Sequence, residues 1–290
     1  MTVLAETVPV LPAFGERLRV FARRNPTIVI GGVLLAAVAG AAVFAPVIAG
    51  DPIVFNPINR LRPPSEEFLL GTDSLGRDVY ARTVYGARIS LLVGLTVAAV
   101  AMVIGLVVGL ACGYYRQLDA VVMRLMDGIM AIPAILLAIA LVSVMGASVK
   151  VVIVAIAIPE VPRVARLVRS VVLTVRELPY VEAARANGSR VRKILWRHIL
   201  PSTIPPLIVQ ATYICASAIL VEAGLSFLGA GTPPEFPTWG NMIAQSRLYL
   251  ATAPWTIFVP GTCLALVVLA INLLGDGLRD RLDPRLARRM

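Results

Sequence analysis

The sequence is poor in charge. Only 15% of its 290 residues are Asp, Glu, Lys or Arg, where a soluble globular chain carries about a quarter. It has one histidine, His198, which excludes any multi-histidine metal site. Its three cysteines, Cys112, Cys215 and Cys263, lie far apart inside apolar runs. They have neither metal-ligand spacing nor the pattern of a disulfide framework, so helix packing is their expected role. No Gly-x4-Gly-Lys-Ser/Thr stretch occurs, so the chain lacks a phosphate-cradling loop. No Gly-x-Ser-x-Gly elbow occurs either, and no paired nucleophile and base stand within the apolar runs. The reading is a non-enzyme with no catalytic, cofactor or metal residues of its own.

What the sequence has in excess is apolar length. Hydrophobic residues make up 58% and the mean hydropathy is +0.83. These residues come in long runs, and a bilayer core about 30 Å thick needs about 20 of them per helix. Six spans are expected, at 27–49, 89–113, 125–149, 150–173, 207–228 and 255–274. The first follows four arginines, as a signal peptide would, but it is too long for an ordinary cleaved apolar core and reads as a retained span. The net charge of +10 does not imply nucleic acid, because the basic residues sit at span ends and between spans. With both termini inside, 20 Lys and Arg fall on the cytoplasmic side and 7 on the other, as the positive-inside rule requires.

This divides the chain into a cytoplasmic segment 1–26, a first transmembrane helix 27–49, an extracytoplasmic loop 50–88, a core 89–275 and a cytoplasmic tail 276–290. A second extracytoplasmic loop, 229–254, carries prolines and interfacial Trp239, with Trp255 just beyond. Within the first loop, 70–80 reads as an amphipathic helix lying at the outer interface. Gly105, Gly109 and Gly113 form a smooth stripe for close helix approach, either within the chain or against a second copy-like subunit.

The cytoplasmic stretch 177–201 reads as helix, turn, helix. Pro179 suits a first helical turn, Gly188 a left-handed end, and Ser189 a cap for the next helix. Val191, Ile194, Leu195, His198 and Ile199 recur at helical spacing, with Arg190, Arg192, Lys193 and Arg197 on other faces, and Pro201 is expected to stop the helix. Anionic lipid and a cleft in a protein partner fit this pattern equally well, although Ala183, Ala184 and Gly188 suit a narrow cleft.

Glu182-Ala183-Ala184-x3-Gly188, followed after ten residues by Ile199-Leu200-Pro201, resembles the EAA loop of ABC importer permeases. Leu70-Gly-Thr-Asp-Ser-Leu-Gly-Arg-Asp78, Tyr85-Gly-Ala-Arg-Ile-Ser-Leu-Leu-Val-Gly94, Glu222-Ala-Gly-Leu-Ser-Phe-Leu-Gly229, Trp239-Gly240 and Asn272-Leu-Leu-Gly-Asp-Gly-Leu-Arg-Asp280 with Leu282-Asp-Pro-Arg-Leu286 are similar to the C-type permease of dipeptide, oligopeptide and nickel importers. Two departures stand out: His198, where isoleucine is usual, and Pro159-Glu-Val-Pro162 in the fourth span. The resemblance implies an all-α, six-span, type I ABC importer permease fold with a cytoplasmic coupling helix, in a bacterial inner membrane. It implies a second homologous permease, two ATPase subunits that carry ATP and Mg, and an extracytoplasmic binding protein. Glu182, Ala183, Ala184, Gly188, Ile199, Leu200 and Pro201 would then engage an ATPase. Di- or oligopeptides are the expected solute, with nickel or glutathione as alternatives.

Intramembrane charge marks two further places. Glu160 has Arg163 at i+3 and reads equally as a structural ion pair or as a wall of the translocation path. Glu222 is expected to hydrogen-bond neighbouring elements near the outer face, and Asp73, Arg77 and Asp78 to form outer gate or loop contacts. An ion-coupled carrier would use Glu160 and Glu222, but no repeat between halves supports it.

Overall fold

A computed structural model describes residues 14–282. The N-terminal 13 residues and the Asp-Pro-Arg-Leu286 end of the tail motif lie outside the described residues. Among those described the fold is helical, with a single isolated β-bridge, Thr72 to Asp78. Helices α1 (Phe14–Arg24), α2 (Pro26–Val43) and α3 (Ala45–Ile48) open the chain. Pro26 supplies the fixed φ of a first helical turn. The expected first span divides at Phe44, where Pro46 starts a separate turn. Arg281 lies 4.7 Å over the Phe21 ring and ties α1 to the end of the last helix.

The segment 70–78 is a loop, not the expected interfacial helix. Asp73 accepts the N–H groups of Leu75 and Arg77 at 2.8 and 2.9 Å, and Gly71 and Gly76 have positive φ. Helix begins only after Asp78, whose carboxylate accepts the Tyr80 N–H at 2.8 Å. Helix α4 (Val79–Tyr114) then runs 36 residues, about 54 Å at 1.5 Å per residue, and so reaches well past an apolar core of about 30 Å.

Helices α5 (Arg116–Ala131) and α6 (Ala134–Met145) replace the straight third span and meet at 87°. Pro133 forces the break: it drives Ile132 out of the helical region, to φ −86° and ψ 127°. Helix α7 (Val149–Val175) is continuous through Pro159 and Pro162. It loses the two hydrogen bonds those prolines cannot donate, while buried Ile156, Val161, Val164 and Val168 hold it in the core.

The glycine stripe is filled from within the chain. A Cβ on Gly105, Gly109 or Gly113 would stand 2.5, 2.6 and 2.5 Å from the Cβ atoms of Val164, Val168 and Val172. The equal four-residue steps on both sides mean that α4 and α7 run parallel and in register, with α4 at the centre of the bundle.

Helices α8 (Pro179–Ala186) and α9 (Val191–Ile194) form a hairpin. A five-residue π turn, Leu195–Ile199, joins α9 to α10 (Leu200–Phe227). Pro201 therefore does not stop the helix. The Leu200 N–H bonds back five residues to the Leu195 carbonyl, and this shift of register admits Pro201 at the start of the next helical stretch. A buried apolar face continuing through Leu207, Ile214 and Ile219 keeps the helix going. Helix α11 (Trp239–Ser246) and helix α12 (Trp255–Leu282) complete the bundle. Gly31 of α2 is close enough to α12 that a Cβ would stand 2.6 Å from the Ala270 carbonyl oxygen. Among the described residues four helices, α2, α4, the α9–α10 unit and α12, are long and apolar enough to cross a membrane, and five if the bent α5–α6 pair counts as one.

Candidate functional site

The hairpin sits at the end of the bundle where α4 and α7 finish. Gly188 has φ +70°. Its N–H bonds to the Arg185 carbonyl at 2.9 Å, and the next N–H, of Ser189, reaches the Ala184 carbonyl at 3.1 Å. That pair of bonds is a Schellman end, and it satisfies carbonyls the helix would otherwise leave open. Ser189 thus contributes its backbone and not the expected side-chain cap; Arg190 precedes α9, with no side-chain cap bond. Glu182, Ala183 and Gly188 are exposed and Ala184 is half-buried, so the turn presents small side chains outward.

The hairpin is anchored from beneath. Val181, Ile194 and Ile199 are buried. The Tyr180 hydroxyl donates to the His198 carbonyl at 3.4 Å, and Arg185 lies 5.5 Å over the Tyr114 ring at the end of α4. Arg176 donates to the Gly113 carbonyl at 3.0 Å, holding the approach to α8 against α4. Leu200 is half-buried and Pro201 exposed, both on the α10 side of the π turn. The candidate residues therefore fall into two groups, a turn at Glu182–Gly188 and a helical root at Ile199–Pro201.

Glu160 is 4% exposed, and its Oε1 accepts from Arg163 Nη1 at 2.8 Å, while Oε2 has no partner. Two further pairs were not read from the sequence. Arg166 meets Asp127 at 2.6 Å, and Arg169 engages both carboxylate oxygens of Asp119, one of them at 2.7 Å. They lace α5 to α7. Their only sequence signal is spacing: acids at i and i+8 on α5 and arginines at i and i+3 on α7.

At the opposite end, Asp73 pairs with Arg77 at 2.7 Å and with Arg82 at 3.6 Å. Arg77 also donates to Gln245 at 2.7 Å, joining the loop before α4 to α11. Arg82, 1% exposed, was missed by sequence reading although it stands nine residues past Asp73. Burial pushes the Asp78 carboxyl up, against the lowering effect of the Tyr80 and Ala81 N–H groups. Buried Glu222 accepts from Ser226 at 2.8 Å and from Thr232 at 3.4 Å, and Asn241 donates to the Thr232 carbonyl at 2.9 Å. Trp239 Nε1 donates to the Thr83 carbonyl at 3.0 Å, and Trp255 Nε1 to Thr72 at 3.2 Å. These bonds fasten the two long loops to one another and to α4. Cys112 and Cys215 are buried, Cys263 half-buried, and all three are free thiols.

Residues 80–288 match the family described as binding-protein-dependent transport system inner membrane component. A probable peptide ABC transporter permease protein of Sinorhizobium fredii is 60% identical over 92% of each chain. A dipeptide transport system permease protein of Alkalihalophilus pseudofirmus is 44% identical over 91% of this chain and 88% of its own. A glutathione transport system permease protein of Pectobacterium atrosepticum is 45% identical over 77% of this chain and 74% of its own. Among solved structures, an inward-facing form of the MetNI methionine ABC transporter superposes with a TM-score of 0.54 at 23% identity, over 70% of this chain and 96% of that one. That likeness fixes the fold as that of a type I ABC importer permease. A bundle of long apolar helices, an exposed hairpin rooted in one of them and a family match over most of the chain agree, and this chain belongs to the binding-protein-dependent transport system inner membrane components, as a multi-pass permease subunit of an ABC transporter.

Proposed function

We propose that this permease forms half of a pore for di- or oligopeptides and is driven by separate ATPase subunits through the α8–α9 hairpin. The observation that carries the reading is mechanical. Glu182, Ala183, Ala184 and Gly188 form a small-residue turn fixed by two backbone bonds. The arm behind it, from Val191, is one helical unit with α10 as far as Phe227. A push on such a turn is delivered along this continuous helical unit into the bundle, through the root at Ile199, Leu200 and Pro201.

In this reading the chain crosses the inner membrane six times, with both termini and the hairpin in the cytoplasm. The bent α5–α6 pair is the third crossing and α7 the fourth, and the basic excess on the hairpin side supports that orientation. A second, homologous permease completes the pore. Two ATPase subunits carry ATP and Mg, one of them seated on the hairpin, and an extracytoplasmic binding protein delivers solute to the end held by Asp73, Arg77, Asp78 and Glu222. Closure of the ATPases moves the hairpin and changes which face of the pore is open, with no chemistry on the solute. Buried Glu160 and half-exposed Arg163 line the path as an ion pair with one free carboxylate oxygen.

Peptide is the solute because relatives at 60% and 44% identity are named for peptide and dipeptide transport. A glutathione-like solute is the second reading, supported by the 45% identical glutathione permease; nickel has no comparable support, and neither has an ion-coupled carrier. Reconstitution of the complete complex tests the proposal. Uptake of labelled dipeptide that needs both ATP and the binding protein is expected. Uptake driven by an ion gradient without ATP would overturn it.

A further inference from the structure

The arm of the hairpin carries a surface separate from the turn at Glu182–Gly188. Arg190, Arg192, Lys193 and Trp196 surround a shallow recess of about 520 Å³. Trp196 is 66% exposed, although Ile194 and Ile199 on either side of it in sequence are buried. None of the three cations, nor Arg197, lies within ion-pair distance of a carboxylate among the described residues. No Asp or Glu occurs anywhere from Ala183 to Val221. A concave cluster of cations with no internal partner and an exposed indole at its wall is complementary to an anion beside an apolar phase.

Depth identifies that anion. No residue between Arg197 and Glu222 carries a formal charge. At 1.5 Å per residue this stretch is about 36 Å long, the apolar core plus a few ångströms. With this whole uncharged run in the core, in place of the shorter span at 207–228 expected from the sequence, Arg197 and Trp196 stand at its border, and Lys193, Arg192 and Arg190 follow within about 5–10 Å, the depth of the headgroup layer. Indole rings favour this border, and basic side chains extend along it to reach phosphate. The turn at Gly188 precedes this helical unit and lies farther from the membrane.

From this placement we infer that the recess formed by Arg190, Arg192, Lys193 and Trp196 binds the headgroups of anionic phospholipids in the cytoplasmic leaflet. The inference rests on the orientation proposed above. It assigns the arm to lipid and leaves the turn to protein.

The complete importer in nanodiscs, with phospholipids brominated near the headgroup end of the acyl chains, tests it. Emission from Trp196 is taken as the difference between wild type and Trp196→Phe. Most of this emission should be lost to the brominated lipid, and more so as phosphatidylglycerol replaces phosphatidylcholine. In Arg190→Gln/Arg192→Gln/Lys193→Gln the dependence on phosphatidylglycerol should weaken by about five-fold per cation removed. Quenching only by aqueous iodide would overturn the inference, and so would protection from both quenchers, which would place the recess against a protein subunit. The orientation is read separately, by labelling Ser189→Cys with a membrane-impermeant maleimide in sided vesicles. Labelling from the outside would contradict the orientation while the quenching still reports whether the arm meets lipid.

Discussion

The Ser189 N–H donates to the Ala184 carbonyl at 3.1 Å, and that bond closes the turn around Gly188. A side chain at Gly188 would meet nothing within 4 Å, so its cost is conformational. Gly188→Ala should destabilise the turn by about 1–2 kcal/mol, the penalty for a side chain at positive φ. Insertion and subunit assembly should be unchanged, and dipeptide-stimulated ATP hydrolysis by the purified complex should fall. An unaltered stimulation would remove the turn from the coupling route.

The α4–α7 contact gives a contrasting pair. Gly109→Val places a Cβ 2.6 Å from the Ala165 carbonyl oxygen, and backbone cannot yield as a flexible side chain can. A loss of about 1–3 kcal/mol is expected, read as lower thermal stability of the detergent-solubilised complex. Gly128→Ala on α5 meets nothing within 4 Å. It should be neutral or stabilise by up to about 1 kcal/mol through helix propensity.

The Glu160–Arg163 pair separates stability from transport. Arg163→Gln strands the Glu160 carboxylate, which is 4% exposed, and should cost about 1–3 kcal/mol. Glu160→Gln removes the buried charge and leaves Arg163, whose side chain is 39% exposed, free to reach water. Thermal denaturation should therefore rank Arg163→Gln as the less stable variant. Dipeptide uptake should fall in Glu160→Gln even though the complex assembles. Full uptake by Glu160→Gln would take this residue out of the path.

Trp239 is 1% exposed and bridges α11 to α4 through the Thr83 carbonyl. Trp239→Phe keeps most of the ring but loses the donor, a change worth about 1 kcal/mol. A small drop in Tm of the purified complex is expected, with ATP hydrolysis in the absence of solute preserved.

Local signals were legible in the sequence and distant ones were not. Pro179 fixes its own φ and Gly188 tolerates the positive φ that ends a helix, so the hairpin could be read from them. Pro201 has two outcomes, a stop or a shift of register. The choice depends on whether the following face is buried, which Leu207, Ile214 and Ile219 decide only once the bundle is packed. Pro133 lies within an apolar run, and hydropathy does not register the extended backbone it forces on Ile132. The pair Arg169 and Asp119 joins residues 50 positions apart, and no local pattern selects that partner. The glycine stripe signalled a close approach without naming its partner, and Val164, Val168 and Val172 supplied it from the same chain.

The coupling claim rests most directly on Gly188→Arg in the reconstituted importer, with ATP inside the vesicles and the binding protein and labelled dipeptide outside. The substitution adds a long cation to an exposed turn where a Cβ meets no atom within 4 Å, at the same conformational cost as alanine. The variant should insert and pair with its partner permease, yet lose ATP-dependent uptake through release or uncoupling of the ATPase. Uptake at the wild-type rate would show that the hairpin does not transmit the drive.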